Sequence, residues 1–406
     1  MNVNKNFSLL MIGQSFANIG DVLYMVSVIS IIYDLKGSAT AASFVPFTIT
    51  TCMFISSIIT PLLVGKIRLN SLMAGSQIGK TLLLILFGFA LTGITASNYY
   101  IVFIVIGLIA FLDGCANPIR QTLIPYYVQP EKLMKANGIA ETVTQLIQAA
   151  MWFVGSMFLL ILSPQQLIWF VGCLFIISSF LLCFLETVYA KTLESAGKIE
   201  QIQEGWKTLF HTPVLRKIAL MDLLESLAGT VWIAAVLYVF VSEALEVEQT
   251  WWGFINGAFF LGLILGSLYC IKYASYVESK LGIFLLTGAF VNFLLTIVFS
   301  LNSIPIFSLV LSFCVGIFTQ IKSIPQQTII QTSIPKEQLS KVYTSLGAIG
   351  TGIFGVGSLL MGILTDLLGV RVVFALSGIL LAFVSMIIYQ NKSLFNSNSY
   401  LGKERN

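Results

Sequence analysis

The sequence predicts an all-α membrane protein of twelve transmembrane helices in two pseudo-symmetric six-helix bundles. Three observations carry this. The 406 residues are 57% hydrophobic and only 10% charged, against roughly a quarter charged in soluble domains. The apolar residues gather into runs about 20 residues long, enough to cross a bilayer as helix. The second half of the chain repeats the first at an offset of 206 residues.

Twelve runs are read in order. The first six are Phe7–Tyr33, Ala41–Gly65, Ser71–Gly93, Tyr99–Pro118, Ala136–Leu162 and Gln165–Thr187. The second six are Val214–Ser242, Thr250–Lys272, Leu281–Leu301, Ile304–Lys322, Val342–Leu367 and Arg371–Tyr389. The expected organisation is a bundle over 1–187, a polar connector over 188–213, a bundle over 214–391 and a tail over 392–406. Lys5 precedes a run expected to remain as the first transmembrane helix, since no cleavable leader pattern surrounds it.

Charge orients the runs. With twelve crossings, 19 of the 22 Lys and Arg fall in loops on one side. Only Lys36 and Arg371 fall on the other, and Lys80 lies within the third run. Basic loops face the cytoplasm, so both termini of this multi-pass protein are expected there. The net charge of +4 thus reports topology. No clustered basic surface suggests nucleic-acid binding.

The repeat is visible in a segment after the fourth and tenth runs. Arg120-Gln121-Thr122-Leu123-Ile124 falls on Gln326-Gln327-Thr328-Ile329-Ile330. Without a gap, Glu131, Leu133 and Lys135 fall on Glu337, Leu339 and Lys341. Both copies are expected in cytoplasmic loops, as hinges or caps. Lys80, Arg120, Gln121 and Gln327 are therefore read as gate or loop residues.

Two nucleotide-like motifs have structural readings. Ala74 through Thr81 fits a loose phosphate-loop pattern, and Gly350-Thr351-Gly352-Ile353-Phe354-Gly355 fits GxGxxG. Both lie inside apolar runs, without the strand and exposed helix start that phosphate binding needs. Lys80 is expected to snorkel or to pair with an acid. The glycines are expected to serve helix packing or flexing. No ATP is implied. The six cysteines lie within apolar runs and lack metal or CxxC spacing. No metal, cofactor or nucleophile–base pair is read, so the chain is not read as an enzyme.

Charges inside the bilayer are costly, which makes the carboxylates in the runs informative. They are Asp21, Asp113, Glu141, Asp222 and Glu225. Helical spacing extends each into a polar stripe. Gln14, Asn18 and Asp21 share a face of the first helix, and Asp113 and Asn117 a face of the fourth. Glu141, Gln145, Gln148 and Trp152 line the fifth, and Asp222, Glu225 and Trp232 the seventh. Lipid would reject such stripes, so they are expected around an aqueous substrate cavity. Paired, static acids are the competing reading. A carboxyl in a cavity of low dielectric can be neutral in one state and ionised in another. Asp21, near mid-depth, and Glu225 are the first candidates for proton coupling. Trp152 and Trp232 are candidates for contact with an apolar or cationic substrate, or for packing. Under the 206-residue offset none of these acids lands on another acid.

Several segments then carry a family likeness. They are Asn117-Pro118-Ile119-Arg120 through Pro125, then Glu131-Lys132-Leu133, then Glu204-Gly205-Trp206 through Arg216, with Gly20-Asp21 and Lys80. Here the chain resembles the major facilitator superfamily, and within it the macrolide-efflux group of bacterial drug:proton antiporters. The resemblance implies alternating access, with helices one, four, seven and ten around the cavity. It also implies proton-driven export of small amphipathic compounds across a bacterial plasma (inner) membrane; because the two halves already enclose a pathway, a monomer is the expected unit. Two features depart from the pattern. The loop after the second run reads Gly65-Lys66-Ile67-Arg68 without an Asp, and helix five reads Val154-Gly155-Ser156-Met157 without Gly-Pro. An uncoupled facilitator or exporter of a metabolite or siderophore is the alternative.

Overall fold

A computed structural model describes residues 4–36, 39–64, 66–95, 97–189, 198–232, 234–248 and 250–395. Among these the chain is helical, with no strand beyond an isolated bridge between Val64 and Ile67. The first six predicted spans are α1 (Lys5–Lys36), α2 (Ala39–Ile59), α3 (Leu69–Ala90), α4 (Tyr100–Tyr127), α5 (Leu133–Ile161) and α6 (Pro164–Cys183). After α7 (Lys198–His211), the seventh span is built from α8 (Pro213–Gly229) and α9 (Ala234–Val239). There follow α10 (Thr250–Lys272), the short α11 (Ala274–Glu278), α12 (Leu281–Leu301), α13 (Pro305–Ser333), α14 (Lys336–Leu368) and α15 (Val370–Gln390). Each of the twelve predicted spans is thus occupied by helix.

Local chemistry sets several boundaries. Ser163 caps α6 in a reciprocal capping box with Gln166, and Pro164 takes the first turn, where its missing N–H costs nothing. Pro213 and Pro305 open α8 and α13 in the same way. Pro118 and Pro125 lie inside α4. The Pro125 carbonyl is in the last turn, where no helical donor remains. The Lys336 ammonium donates to it at 2.6 Å. The Arg371 guanidinium donates to the carbonyls of Ala244, Ser300 and Asn302 at 2.8–3.0 Å. One of only two basic residues on its side of the predicted topology is therefore a helix-end clamp.

The chain forms two compact units. The first comprises Met1–Gln129, Leu146–Lys207 and Lys336–Ala348; the second comprises Pro130–Gln145, Thr208–Pro335 and Ile349–Asn406. In the first, α1 packs on α6, α2 on α4, and α3 on both α4 and α6. In the second, α8 packs on α15, α10 on α13, and α12 on both α13 and α15. These are the same pairings shifted by the repeat. The beginning of α5 belongs to the second unit and the beginning of α14 to the first. These two segments correspond under the 206-residue offset, so the exchange itself is pseudo-symmetric.

Each unit has its own apolar core. The first centres on Leu23, Val28, Leu84, Phe87, Ile106 and Phe175. The second centres on aromatic rings: Trp232, Phe240, Phe299 and Phe374 pack with centroids 4.7–5.3 Å apart.

The described part of the connector includes a helix, α7. The α7 helix is strongly amphipathic: Leu209 is buried, and Glu204 forms an ion pair with buried Lys341 of α14. Gly205 lies against the Lys341 carbonyl, where a side chain would collide. Lys322 and Lys341, counted with the loops on sequence, are both buried in helices. Without them 17 basic residues still face two, so the orientation argument stands. Arg120, Gln121 and Gln327 likewise sit in helices (α4, α4 and α13), where loop positions are expected from sequence, while Lys80 sits in α3, inside the third run as expected. Membrane helices run on past the hydrocarbon, and here α4 and α13 reach 28 and 29 residues. Hydropathy marks where lipid ends; it does not mark where the helix stops.

The tightest helix contact is between α10 and α13. A Cβ on Gly262 would run into the Phe313 carbonyl, and one on Gly316 into the Phe259 carbonyl. Gly350 and Gly355 of the GxGxxG match are not tight points of α14. Gly355 has open space, whereas Gly357 abuts Leu227 at 2.9 Å. Gly316→Ala is expected to destabilise the protein by about 1–3 kcal/mol, the usual cost of overpacking. Gly75→Ala, where nothing lies within 4 Å, is expected to be nearly neutral. Thermal unfolding in detergent checks the pair.

Candidate functional site

In the first unit three charges meet. Asp21 comes from α1, Lys80 from α3 and Asp113 from α4. The Lys80 ammonium donates to Asp21 Oδ1 at 2.6 Å and to Asp113 Oδ1 at 2.5 Å. Lys80 is 1% exposed. Its nitrogen lies 4.8 Å from the centroid of the Phe175 ring of α6, a cation–π contact in a desolvated place. The cluster holds one ammonium between two carboxylates, so it carries one excess negative charge when both acids are ionised.

Each of these residues stands beside a glycine at which a neighbour crowds in. The Phe175 ring would lie 2.5 Å from a Cβ on Gly20, next to Asp21. Leu112 would lie 2.8 Å from one on Gly79, next to Lys80, and the Met53 carbonyl 2.8 Å from one on Gly114, next to Asp113. Close approach of helices is what lets a single ammonium span acids on two of them.

In the second unit two turns of α8 face two turns of α13. Lys322 donates to Glu225 Oε2 at 2.5 Å, and Gln326 Nε2 donates to Asp222 Oδ1 at 2.6 Å. Both pairs are spaced by about a helical turn, so they form two rungs. Gly288 of α12 lets the Lys322 stem approach to 2.7 Å of where its Cβ would be. Here the ammonium pairs with one carboxylate, Glu225, while Asp222 takes an amide donor. A cavity of 450 Å³ opens beside the rungs. It is lined by Asp222, Glu225, Lys322, Gln326, Trp232 and Asn292, among others. One edge of Trp232 packs on Phe299 and Phe374. Asn292 and Thr319 share a 3.0 Å hydrogen bond.

A third polar group lies where the start of α5 joins the second unit. Gln327 donates to Glu141 at 3.0 Å. The Asn137 and Gln331 side chains exchange two hydrogen bonds, of 2.7 and 3.2 Å, and Asn137 also donates to Thr328.

The residues singled out on sequence therefore fall into groups. Asp21, Asp113 and Lys80 are brought together; so are Asp222, Glu225 and Trp232; so are Glu141 and Gln327. Gln14 and Asn18 hydrogen-bond along their stripe at 3.0 Å. Asn117, Arg120, Gln121, Gln145 and Gln148 are half-buried on α4 and α5. The boundary between units crosses α5 after Gln145, dividing its polar stripe. The side chain of Trp152 lies outside the described residues. Lys322, Gln326 and Asn292 were not anticipated. The signal for Lys322 was available: a lysine four residues before Gln326 on one continuous helix. No cluster of three or more metal-ligating side chains occurs among the described residues.

Two repeated helical units with ion pairs buried in apolar spans define a multi-pass membrane transport protein. Residues 10–243 match the family model described as Major Facilitator Superfamily, and the chain belongs to that family. It is 32% identical to the MFS-type transporter YfmI of Bacillus subtilis (strain 168) over 93% of this chain and 94% of that protein. It is 23% identical to the multidrug efflux pump Tap of Mycolicibacterium fortuitum, over 88% of each. Its fold resembles the human organic anion transporter MFSD10 with a TM-score of 0.78, at 10% identity, covering 96% of this chain and 100% of that one.

Removing one partner of a buried pair strands the other. Lys322→Met and Glu225→Gln are each expected to lower stability by about 3 kcal/mol, the lower end of the range because Glu225 keeps some solvent contact. The double variant is expected to recover much of the loss. Unfolding midpoints of the four proteins measure this.

Proposed function

We propose that this transporter exports small amphipathic compounds, macrolide-like drugs among them, by alternating access coupled to protons. The observation that carries the reading is the charge balance of its two buried clusters. Lys80 is shared by Asp21 and Asp113, and Lys322 stands with Glu225 and Asp222. Each cluster has one carboxylate more than it has ammonium. In a medium of low dielectric such an excess charge is expensive. It is relieved by binding one positive charge, either a proton or a cationic group of a substrate. Competition for that place is the physical basis of exchange.

The cavity beside Asp222 and Glu225 supports the substrate side of this reading. It combines carboxylates, amides and the Trp232 ring, a set suited to an amphipathic molecule. The similarity to a multidrug efflux pump supports the same direction. In this reading Asp21, which shares Lys80 with Asp113, and Glu225 are the proton-coupling acids, and at Glu225 proton and substrate compete within one cavity. Asp222, Trp232 and Asn292 contact substrate, while Glu141 with Gln327 forms a gate. The basic-loop asymmetry supports both termini in the cytoplasm of a bacterial cell. The functional unit is a monomer, divided as 1–187 and 214–391 about the connector.

Transport of a dye panel into inverted vesicles with an imposed pH gradient tests the proposal. The wild-type protein is expected to accumulate dye only while the gradient lasts. Asp21→Asn and Asp113→Asn are each expected to abolish gradient-driven accumulation, because the cluster then holds no surplus carboxylate. Accumulation independent of the gradient in the wild-type protein, unchanged by both variants, would instead favour the uncoupled facilitator. The missing loop Asp and helix-five Gly-Pro also point toward that alternative.

A further inference from the structure

The second unit carries a lipid-facing groove distinct from the charged cavity. It occupies 530 Å³ between α12 and α15. Its lining includes Leu286, Phe290 and Phe293 from α12, and Ala382, Met386 and Tyr389 from α15. No charged side chain is among its lining residues. Phe290, Met386 and Tyr389 are exposed. The two helices are antiparallel along it, since Leu286 near the start of α12 shares the groove with Tyr389 near the end of α15.

At that end the groove opens toward cations. Lys280 immediately precedes α12, and Lys392 opens the short 3-10 turn Lys392–Phe395 that follows α15 and packs on α12. Both lysines are exposed. Lys392 lies over the Tyr389 ring at 5.6 Å, and Lys280 over the Tyr276 ring at 4.7 Å. The Tyr389 ring lines the groove and so holds the Lys392 ammonium at its mouth, while Lys280 stands at the adjoining start of α12 and donates to the Tyr276 hydroxyl at 3.4 Å. The nearest acid in sequence is Glu278, whose carboxyl is held above its ordinary range by burial and by Glu131.

The spacing matches a lipid. At 1.5 Å per residue, Phe293 lies about 20 Å along α12 from Lys280. That is roughly the depth of one leaflet, taken as half a core about 30 Å thick plus its headgroup margin. We infer that this groove binds an anionic glycerophospholipid, with an acyl chain against Phe290, Phe293 and Met386 and its phosphate between Lys280 and Lys392. The complementarity is of both kinds the ligand needs: apolar along the chain, cationic at the head. A second copy of this protein would bring like charges to the same mouth.

Native mass spectrometry of the full chain, purified and supplied with equal phosphatidylglycerol and phosphatidylcholine, tests the site. The wild-type protein is expected to retain phosphatidylglycerol several-fold over phosphatidylcholine. The charge-reversed variant Lys280→Glu/Lys392→Glu is expected to bring that ratio near one. Met386→Trp, at an exposed position that leaves the core intact, is expected to reduce retention of both lipids. Equal retention by the wild-type protein, or a preference unmoved by charge reversal, would overturn the assignment and leave only unselective bilayer lipid. Retention unaffected by Met386→Trp would overturn the placement of the chain. A lipid-free dimer lost on the same substitutions would identify a second copy as the occupant instead.

Discussion

A lysine inside a bilayer-spanning bundle must have a carboxylate within reach. The cost of an unpaired charge among apolar side chains exceeds what any single packing contact returns. Lys80 and Lys322 both obey this constraint, and much of the local architecture serves it. Glycines stand beside Asp21, Lys80 and Asp113 because an ammonium can bridge two helices only if they come close. Phe175 occupies the space at Gly20 and presents its face to the same ammonium. Polar burial and tight packing are here one arrangement.

The two units satisfy the constraint differently on the same scaffold. Their helix pairings correspond one for one under the repeat. The charges do not. In the first unit the lysine stands on the third span and reaches acids on the first and fourth. In the second, the lysine stands on the tenth and reaches the seventh, the counterparts of the fourth and first. Thr319, the counterpart of Asp113, lies one turn from Lys322 and bonds to Asn292 instead. Duplicated backbones with divergent charges leave one unit with an ammonium held between two acids and the other with an ammonium on one acid beside a cavity. Each solution nevertheless sets one ammonium against two nearby carboxylates.

The polar segment after the fourth and tenth spans shows a related economy. Its side chains lie in helices that outlast the hydrocarbon, where they pair with one another across elements: Gln327 with Glu141, and Asn137 with Gln331. The Asn137–Gln331 pair is amide on amide and buried, whereas Gln327 donates to a carboxyl. The connector helix α7 adds a charged version, Glu204 with Lys341. Polar groups at the ends of membrane helices thus do the joining that apolar packing does in their middles.

The spans, their number, their pseudo-repeat and the presence of carboxylates within them were determined by sequence alone. Each of these follows from a local property: the length of an apolar run, the offset between similar segments, the identity of a residue within a run. The ends of α4 and α13 were misplaced because hydropathy reports the solvent around a helix, while the helix continues through its own backbone bonds. Lys322 was assigned to a loop for that reason, and its pairing with Glu225 was hidden. Only the tertiary structure decided which lysine meets which acid, that Asp21 and Asp113 share one ammonium, and that Asp222 leans on Gln326. Such partnerships join positions separated by 33 to 104 residues. Helical periodicity says which face a side chain occupies. It carries no information about which other helix that face will meet, because that is set by packing summed over the whole unit.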